Sequence, residues 1–152
     1  LKFLLVEADL DKLAKWMRFL GQDVLVLKGA INKRSIVEHT DRVFITTSRK
    51  WEKHLRDWRV NYLILPRDDW KVQLCLILKH FQIKPKLLLN RCPHCNAELE
   101  LISKEDVKSA IPPMVYQFGY HFTRCAECKS IFWKGTHLPK MKRTLKSVLK
   151  RC

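Results

Sequence analysis

Two sets of residues in this chain have types and spacing that can do chemistry. The first is a pair of matched cysteine knuckles, Arg91-Cys92-Pro93-His94-Cys95-Asn96 and Arg124-Cys125-Ala126-Glu127-Cys128-Lys129, separated by about thirty residues. The sulfurs of a Cys-x-x-Cys turn face one point, and a small or polar residue after the second Cys lets the backbone curl around it. Cys92, Cys95, Cys125 and Cys128 are therefore expected to place four thiolates around one tetrahedral zinc. The alternative is a disulfide framework, which suits secreted chains better than this one. Four thiolates close the shell and leave no position for water, so the zinc is expected to be structural. The second set is acidic: Glu7, Asp9, Asp68 and Asp69. Clustered carboxylates hold Mg²⁺ or Mn²⁺, and paired ions can activate water for phosphodiester hydrolysis. On spacing alone, Asp9 and Asp69 as helix caps with Asp68 solvated is the better account.

The elements that must position these residues follow from the apolar pattern. Phe3–Val6, Val24–Leu27, Val43–Thr46 and Tyr62–Leu65 read as short, nearly continuous apolar strands that start about twenty residues apart. Between them lie helical patterns: Leu10, Leu13, Ala14, Met17 and Leu20, stopped by Gly21, then a short helix capped by Asn32. Ser48 is expected to cap a helix through Trp51, Leu55 and Trp58, and Trp70, Leu74, Ile77, Leu78 and Phe81 form another. Repeated βα units imply a parallel sheet of four or five strands with flanking helices, Leu87–Leu89 being the candidate fifth strand. Right-handed crossovers bring every strand-to-helix loop to one edge, where ligands bind. Glu7–Asp9, Lys28–Asn32, Thr47–Ser48 and Arg67–Asp69 should meet there.

The chain has 152 residues, a 47% hydrophobic content and a net charge of +15. That length fits one domain with a small appendage, here an α/β domain over 1–90, a zinc ribbon over 91–136 and a basic helix or tail over 137–152. No run approaches ~20 apolar residues, so no membrane span is expected. The opening residues are too short for a signal peptide, which points to a cytoplasmic rather than a secreted protein. The absence of an initial methionine suggests a domain cut from a longer chain. The charge calls for a polyanionic partner, nucleic acid first and an anionic membrane surface second. A basic face that serves only solubility is the bland alternative. Lys33, Arg34, Arg49, Lys50 and Lys53 lie near expected helix starts, where free N–H groups accept phosphate. Lys140, Lys142, Arg143 and Lys146 lie off the apolar side (Leu138, Met141, Leu145, Val148, Leu149) of a C-terminal helix. Tyr116, Phe118, Tyr120, Phe122, Phe132 and Trp133 can stack on bases or fill a thin ribbon core. Trp16, Trp51, Trp58 and Trp70 are expected to pack helices on the sheet. Cys75 reads as a small core residue and Cys152 as part of a ragged end.

The segment Phe3–Glu7, with Lys12-Leu13-Ala14-Lys15-Trp16-Met17-Arg18 and Gly21, resembles the PIN-like ribonuclease domain at the C-terminus of mutator/Nibbler-type 3′→5′ exoribonucleases. The likeness continues through Ile45-Thr46-Thr47-Ser48-Arg49, Asp69 with Gln73-Leu74, the first knuckle and Phe132-Trp133-Lys134-Gly135-Thr136-His137. It covers nearly the whole chain. It implies a PIN-like sheet fused to a four-cysteine zinc ribbon, metal-dependent action on single-stranded or small RNA, and a protein partner in a silencing complex, with perinuclear granules as a further location. Two positions depart from the family pattern. Glu7 stands where Asp is usual, and Thr46-Thr47-Ser48 stands for Thr-Arg-Asp, which removes a carboxylate. The expectation is a degenerate nuclease site that binds Mg²⁺ or Mn²⁺ weakly within a domain that still binds RNA. An active ribonuclease using Glu7, Asp69, Asp68 and Asp9, and a protein-docking platform, are the alternatives. The zinc is expected to hold the ribbon and basic helix beside the strand-end edge, giving one positive surface.

Overall fold

The computed structural model describes residues 1–5, 8–118 and 120–152, with Ala8 by its backbone alone. Four short strands, β1 (Lys2–Leu5), β2 (Asp23–Val26), β3 (Val43–Thr46) and β4 (Tyr62–Ile64), pair in the order β2-β1-β3-β4. Every pairing is parallel, with Phe3 opposite Val24 and Val43, and Phe44 opposite Tyr62. Phe3, Leu4, Leu5, Phe44 and Ile45 are fully buried, as strands covered on both faces must be.

Helices supply the two covers. On one face α1 (Asp11–Phe19) and α4 (Trp70–His80) bury Leu13, Met17, Leu74 and Ile77 against Phe3, Leu5 and Ile45. Trp16 and Trp70 stack there with ring centroids 5.4 Å apart. On the other face α2 (Lys33–Val37) and α3 (Glu52–Asp57) bury Ile36 and Leu55 against Leu4 and Phe44. Local chemistry explains the helix ends. Asn32 and Ser35 form a reciprocal capping box on α2, and Asp69 accepts from Lys71 N at the start of α4. Gly21, at φ +83°, stops α1 where L side chains are strained, and a Cβ there would lie 2.5 Å from Leu88 Cδ1.

Two expectations about elements change. Leu87–Leu89 is not a fifth strand. Leu88 N and Leu89 N both donate to Phe19 O, and Leu87 packs on the α1/α4 core, so the apolar run seals the end of α1. Ser48 makes no side-chain cap; a 3₁₀ turn (Arg49–Trp51) leads into α3, and Ser48 N instead donates to Thr46 Oγ1 at 3.0 Å.

The second body is a three-stranded antiparallel sheet of β5 (Leu99–Ile102), β6 (Phe122–Cys125) and β7 (Ile131–Trp133), in the order β5-β6-β7. Two short helices, α5 (Lys104–Val107) and α6 (Pro113–Gln117), fill the β5–β6 connection. Val107, Ile111 and Phe122 form its buried core, with Tyr116, Tyr120 and Trp133 packed around them.

The chain ends in α7 (His137–Leu149), which returns to the first body. Leu145 and Val148 are buried in the α1/α4 core, and Met141 packs against it. Cys152 forms a disulfide with Cys75 of α4, their Cα atoms 5.6 Å apart. Cys75 is thus a core residue that is also a cross-link, and the terminus is fastened rather than ragged. Among the described residues no helix is long and apolar enough to cross a membrane.

Candidate nucleic-acid interface and metal centre

The two knuckles are geometric copies of each other. In the first, Asn96 N donates to Cys92 O at 2.9 Å and Cys92 N donates to Ala97 O at 2.8 Å. In the second, Lys129 N donates to Cys125 O at 2.9 Å and Cys125 N to Ser130 O at 3.0 Å. Asn96 and Lys129 adopt left-handed backbone at φ 67° and 63°, the curl expected of the residue after each second Cys. The four sulfurs lie within 4.8 Å of one another, and Cys92 Sγ and Cys128 Sγ are 3.7 Å apart. A tetrahedral ion with zinc–sulfur bonds of ~2.3 Å would hold sulfurs about 3.8 Å apart, so the donor set fits. His94, His121 and His137 are exposed and outside this set.

The thiols differ in their readiness to ionise. Hydrogen bonding with Ser130 lowers Cys128 to about 6, while the neighbouring Cys128 raises Cys95 to about 12. Burial raises Cys92 as well. Loading a divalent ion onto four thiolates must therefore release protons.

The first knuckle is joined to the parallel sheet at the free edge of β2. Arg18 of α1 is buried; its Nε and Nη2 donate to Val24 O and its Nη1 donates to Pro93 O at 2.8 Å. Burial lowers the Arg18 pKa, opposed by the charges of Cys92 and Asp11. Asn96 Oδ1 accepts from Val24 N at 2.8 Å, and its Nδ2 donates to Asp23 Oδ1 at 2.7 Å. Asp23 also takes Arg42 Nη1 at 2.7 Å and lies 4.0 Å from Arg91 Nη2. These contacts occupy the amino end of β2. The ribbon is consequently docked at the end of the sheet opposite the strand-to-helix loops, and the expected placement beside that edge does not hold. There Asn96 and Arg18 satisfy backbone groups that an edge strand would otherwise leave open.

At the carboxyl ends of the strands the loops converge as their order requires. They enclose a cleft of about 580 Å³. Asp9 comes from the loop after β1, Gly29 and Ile31 from that after β2, Thr47, Ser48, Lys50 and Trp51 from that after β3, and Arg67 and Asp68 from that after β4. Gln73 of α4 closes one side and donates to Pro66 O. Glu7 lies outside the described residues. Asp9 and Asp68 face the same cleft, and Asp68 Oδ1 accepts from Asp69 N at 2.6 Å. Asp69 has other engagements: Oδ1 caps α4, and Oδ2 pairs with Arg151 Nη2 at 3.4 Å. Among the described residues the four cysteines are the one group of three or more candidate ligands close enough to share an ion.

The basic residues divide between two places. Lys50 lines the cleft, and exposed Lys53 follows on α3. Arg49 pairs with Glu52 at 3.7 Å, and Arg34 with Glu38 at 2.9 Å. Lys33 opens α2 with its Nζ 5.9 Å from the Trp58 ring. Lys140, Lys142, Arg143 and Lys146 are exposed on α7. Arg67 lies where its loop was expected to converge, whereas Gln73 and Trp51 were not anticipated as cleft residues. Of the ribbon aromatics, Phe122 is 2% exposed and so unavailable for stacking, whereas Phe118 is 65% exposed.

The parallel α/β sheet with its carboxyl-edge cleft, joined to a cysteine-knuckle ribbon, defines a PIN-like domain with a metal-ligating tail. The chain belongs to the Mut7-C RNase domain family, whose pattern it matches over residues 2–145. No curated protein matches it closely enough to count as a relative.

Proposed function

We propose that the chain is an RNA-binding domain with a degenerate PIN-like nuclease site, held in shape by one structural zinc. It captures single-stranded or small RNA for a 3′→5′ exoribonuclease of which it is the C-terminal part, in cytoplasmic or perinuclear small-RNA silencing with a protein partner. The observation that carries this reading is the composition of the cleft. Lys50 and Arg67 stand beside Asp9 and Asp68, and neutral Ser48 lies at the end of β3 where the family pattern has a carboxylate. Mixed charges with few acids favour phosphate over a pair of divalent ions. Asp69 is drawn off by Arg151, which weakens it further as a ligand. On a chain of charge +15 the exposed cations of α7 add a second phosphate-facing surface.

The test is incubation of the purified domain with labelled single-stranded RNA, with and without Mn²⁺. Binding that falls steeply with salt, and intact RNA at the end, is the expected result. Reversal of Lys142, Arg143 and Lys146 to Glu should weaken binding; unchanged affinity moves the binding face elsewhere. A second reading, an active metal-dependent ribonuclease, is favoured by Asp9 and Asp68 sharing the cleft. Mn²⁺-dependent cleavage that disappears in Asp9→Asn or Asp68→Asn would establish it. The protein partner has candidate contacts in Leu101, Met114 and Phe118, which are 83%, 67% and 65% exposed on the ribbon.

A further inference from the structure

Trp51 links the cleft to a second feature. It lies in the cleft wall beside Lys50, whose Nζ is 5.6 Å from its ring. The chain then runs through α3, and Trp51, His54 and Trp58 fall three and then four residues apart, on one stripe. The Trp51 and His54 rings are 6.2 Å apart at 61°, and the His54 and Trp58 rings stack at 5.3 Å and 23°. Lys33 stands over Trp58 at the far end. A row of three aromatic rings thus leads away from the cleft with a lysine at each end.

Core packing explains only one side of this row. Trp51 and Trp58 pack against the Leu4, Ile36, Phe44, Leu55 and Val60 cluster, yet both remain half-exposed and His54 is exposed. Leucine would fill the same inner space. It would not supply a flat outer ring, and it would not draw a lysine to it. A run of flat rings flanked by cations matches a strand whose bases are free to stack and whose phosphates need neutralising. A base-paired helix has no bases free for such a surface.

We infer that Trp51, His54 and Trp58 form a stacking track for the unpaired bases of an RNA strand passing through the cleft, with Lys50 and Lys33 taking its phosphates. The track rests on the RNA-binding reading above and adds the demand for accessible bases. The test uses the intact chain with three probes: a single-stranded oligouridylate, an abasic ribose-phosphate oligomer of equal length, and an RNA duplex. The oligouridylate should bind about tenfold more tightly than the abasic oligomer and quench tryptophan fluorescence. Trp51→Leu, which keeps the inner apolar contact, should remove most of that advantage of the oligouridylate over the abasic oligomer. His54→Ala removes an exposed ring without touching the core, and should cut oligouridylate affinity severalfold. Equal binding of the oligouridylate and the abasic oligomer, or oligouridylate affinity indifferent to both substitutions, overturns the track while leaving the RNA reading in place. Duplex bound as well as single strand does the same. No binding of any probe at low salt overturns the RNA reading and the track with it.

Discussion

Asn96 Oδ1 accepts a hydrogen bond from Val24 N at 2.8 Å, so a residue of the metal-binding knuckle completes the edge strand of the parallel sheet. Its Nδ2 donates to Asp23 Oδ1, and its own backbone is left-handed at φ 67°. One buried side chain thereby serves the knuckle turn and the β2 edge together. Asn is among the few side-chain-bearing residues that visit this backbone region readily. Asn96→Ala should lower stability by roughly 2–4 kcal/mol, combining unpaired buried groups with backbone cost. Asn96→Gly retains the turn and should lose only the hydrogen-bond part. Urea unfolding of the two variants beside the parent, with zinc content measured in each, checks this; equal losses in both would assign the whole effect to the bonds.

Asp23 gives the same junction a pH dependence. Partial burial acts to raise its pKa, but hydrogen bonds from Arg42 and Asn96 and the charges of Arg42 and Arg91 outweigh that and hold it below the ordinary value. A carboxyl depressed in the folded state contributes stability that is fully present above its unfolded pKa of about 3.9 and disappears as pH falls through the folded value. Asp23→Asn should therefore be less stable than the parent at neutral pH, and the gap should close in acid. Metal content measured in both proteins at each pH separates any loss of a knuckle-bound ion from the effect of the carboxylate. The difference between their unfolding free energies isolates the carboxylate, and a gap independent of pH would show that Asp23 acts only through its shape.

Much of this arrangement is legible in the sequence. Continuous apolar runs such as Phe3–Leu5 and Val43–Ile45 announce two-sided strands, and parallel order alone brings Asp9, Ser48 and Asp68 into one cleft. The matched knuckles announce the cysteine cluster. What stays hidden depends on contacts between residues far apart in the chain. Asn96 meets Val24 across 72 positions, and Asp69 meets Arg151 across 82. Neither has a local signature. Leu87–Leu89 misleads because an apolar run has the same composition whether it pairs in a sheet or lies across the end of a helix, as it does on Phe19 O. Residue type marks Trp51 for packing, which is true of its inner face; half-exposure is not encoded there.

The ribbon should depend on its metal more than the sheet does. Its buried core is Val107, Ile111 and Phe122, whereas the parallel sheet has larger clusters on both faces. Bodies with so little apolar core need a staple. Elemental analysis should find one zinc per chain, and Cys125→Ser or chelation should open the region 97–134 to protease while the α/β body stays resistant. A metal-free chain with a protected ribbon would defeat the structural-zinc reading. Cys125 suits this test because Cys92 adjoins the β2 junction and would disturb both bodies.

The attachment of α7 can be separated from the ribbon in the same way. Leu145 and Val148 anchor the helix in the α1/α4 core, and the Cys75–Cys152 disulfide fastens its end across a separation of 77 residues. In the chain-entropy account, closing a loop of that size stabilises the folded state by about 4.5 kcal/mol at most. Cys152→Ser should lower the melting temperature and speed amide exchange toward the end of α7, while Leu145→Ala should cost roughly 2–4 kcal/mol and loosen the helix along its length. Arg151 adjoins the disulfide and pairs with Asp69, so freeing the terminus should also release that carboxylate. Weakened RNA binding in Leu145→Ala, with zinc content unchanged, is the expected outcome if the exposed lysines of α7 act from a helix held against α4. Undiminished binding would show that these cations need no fixed position.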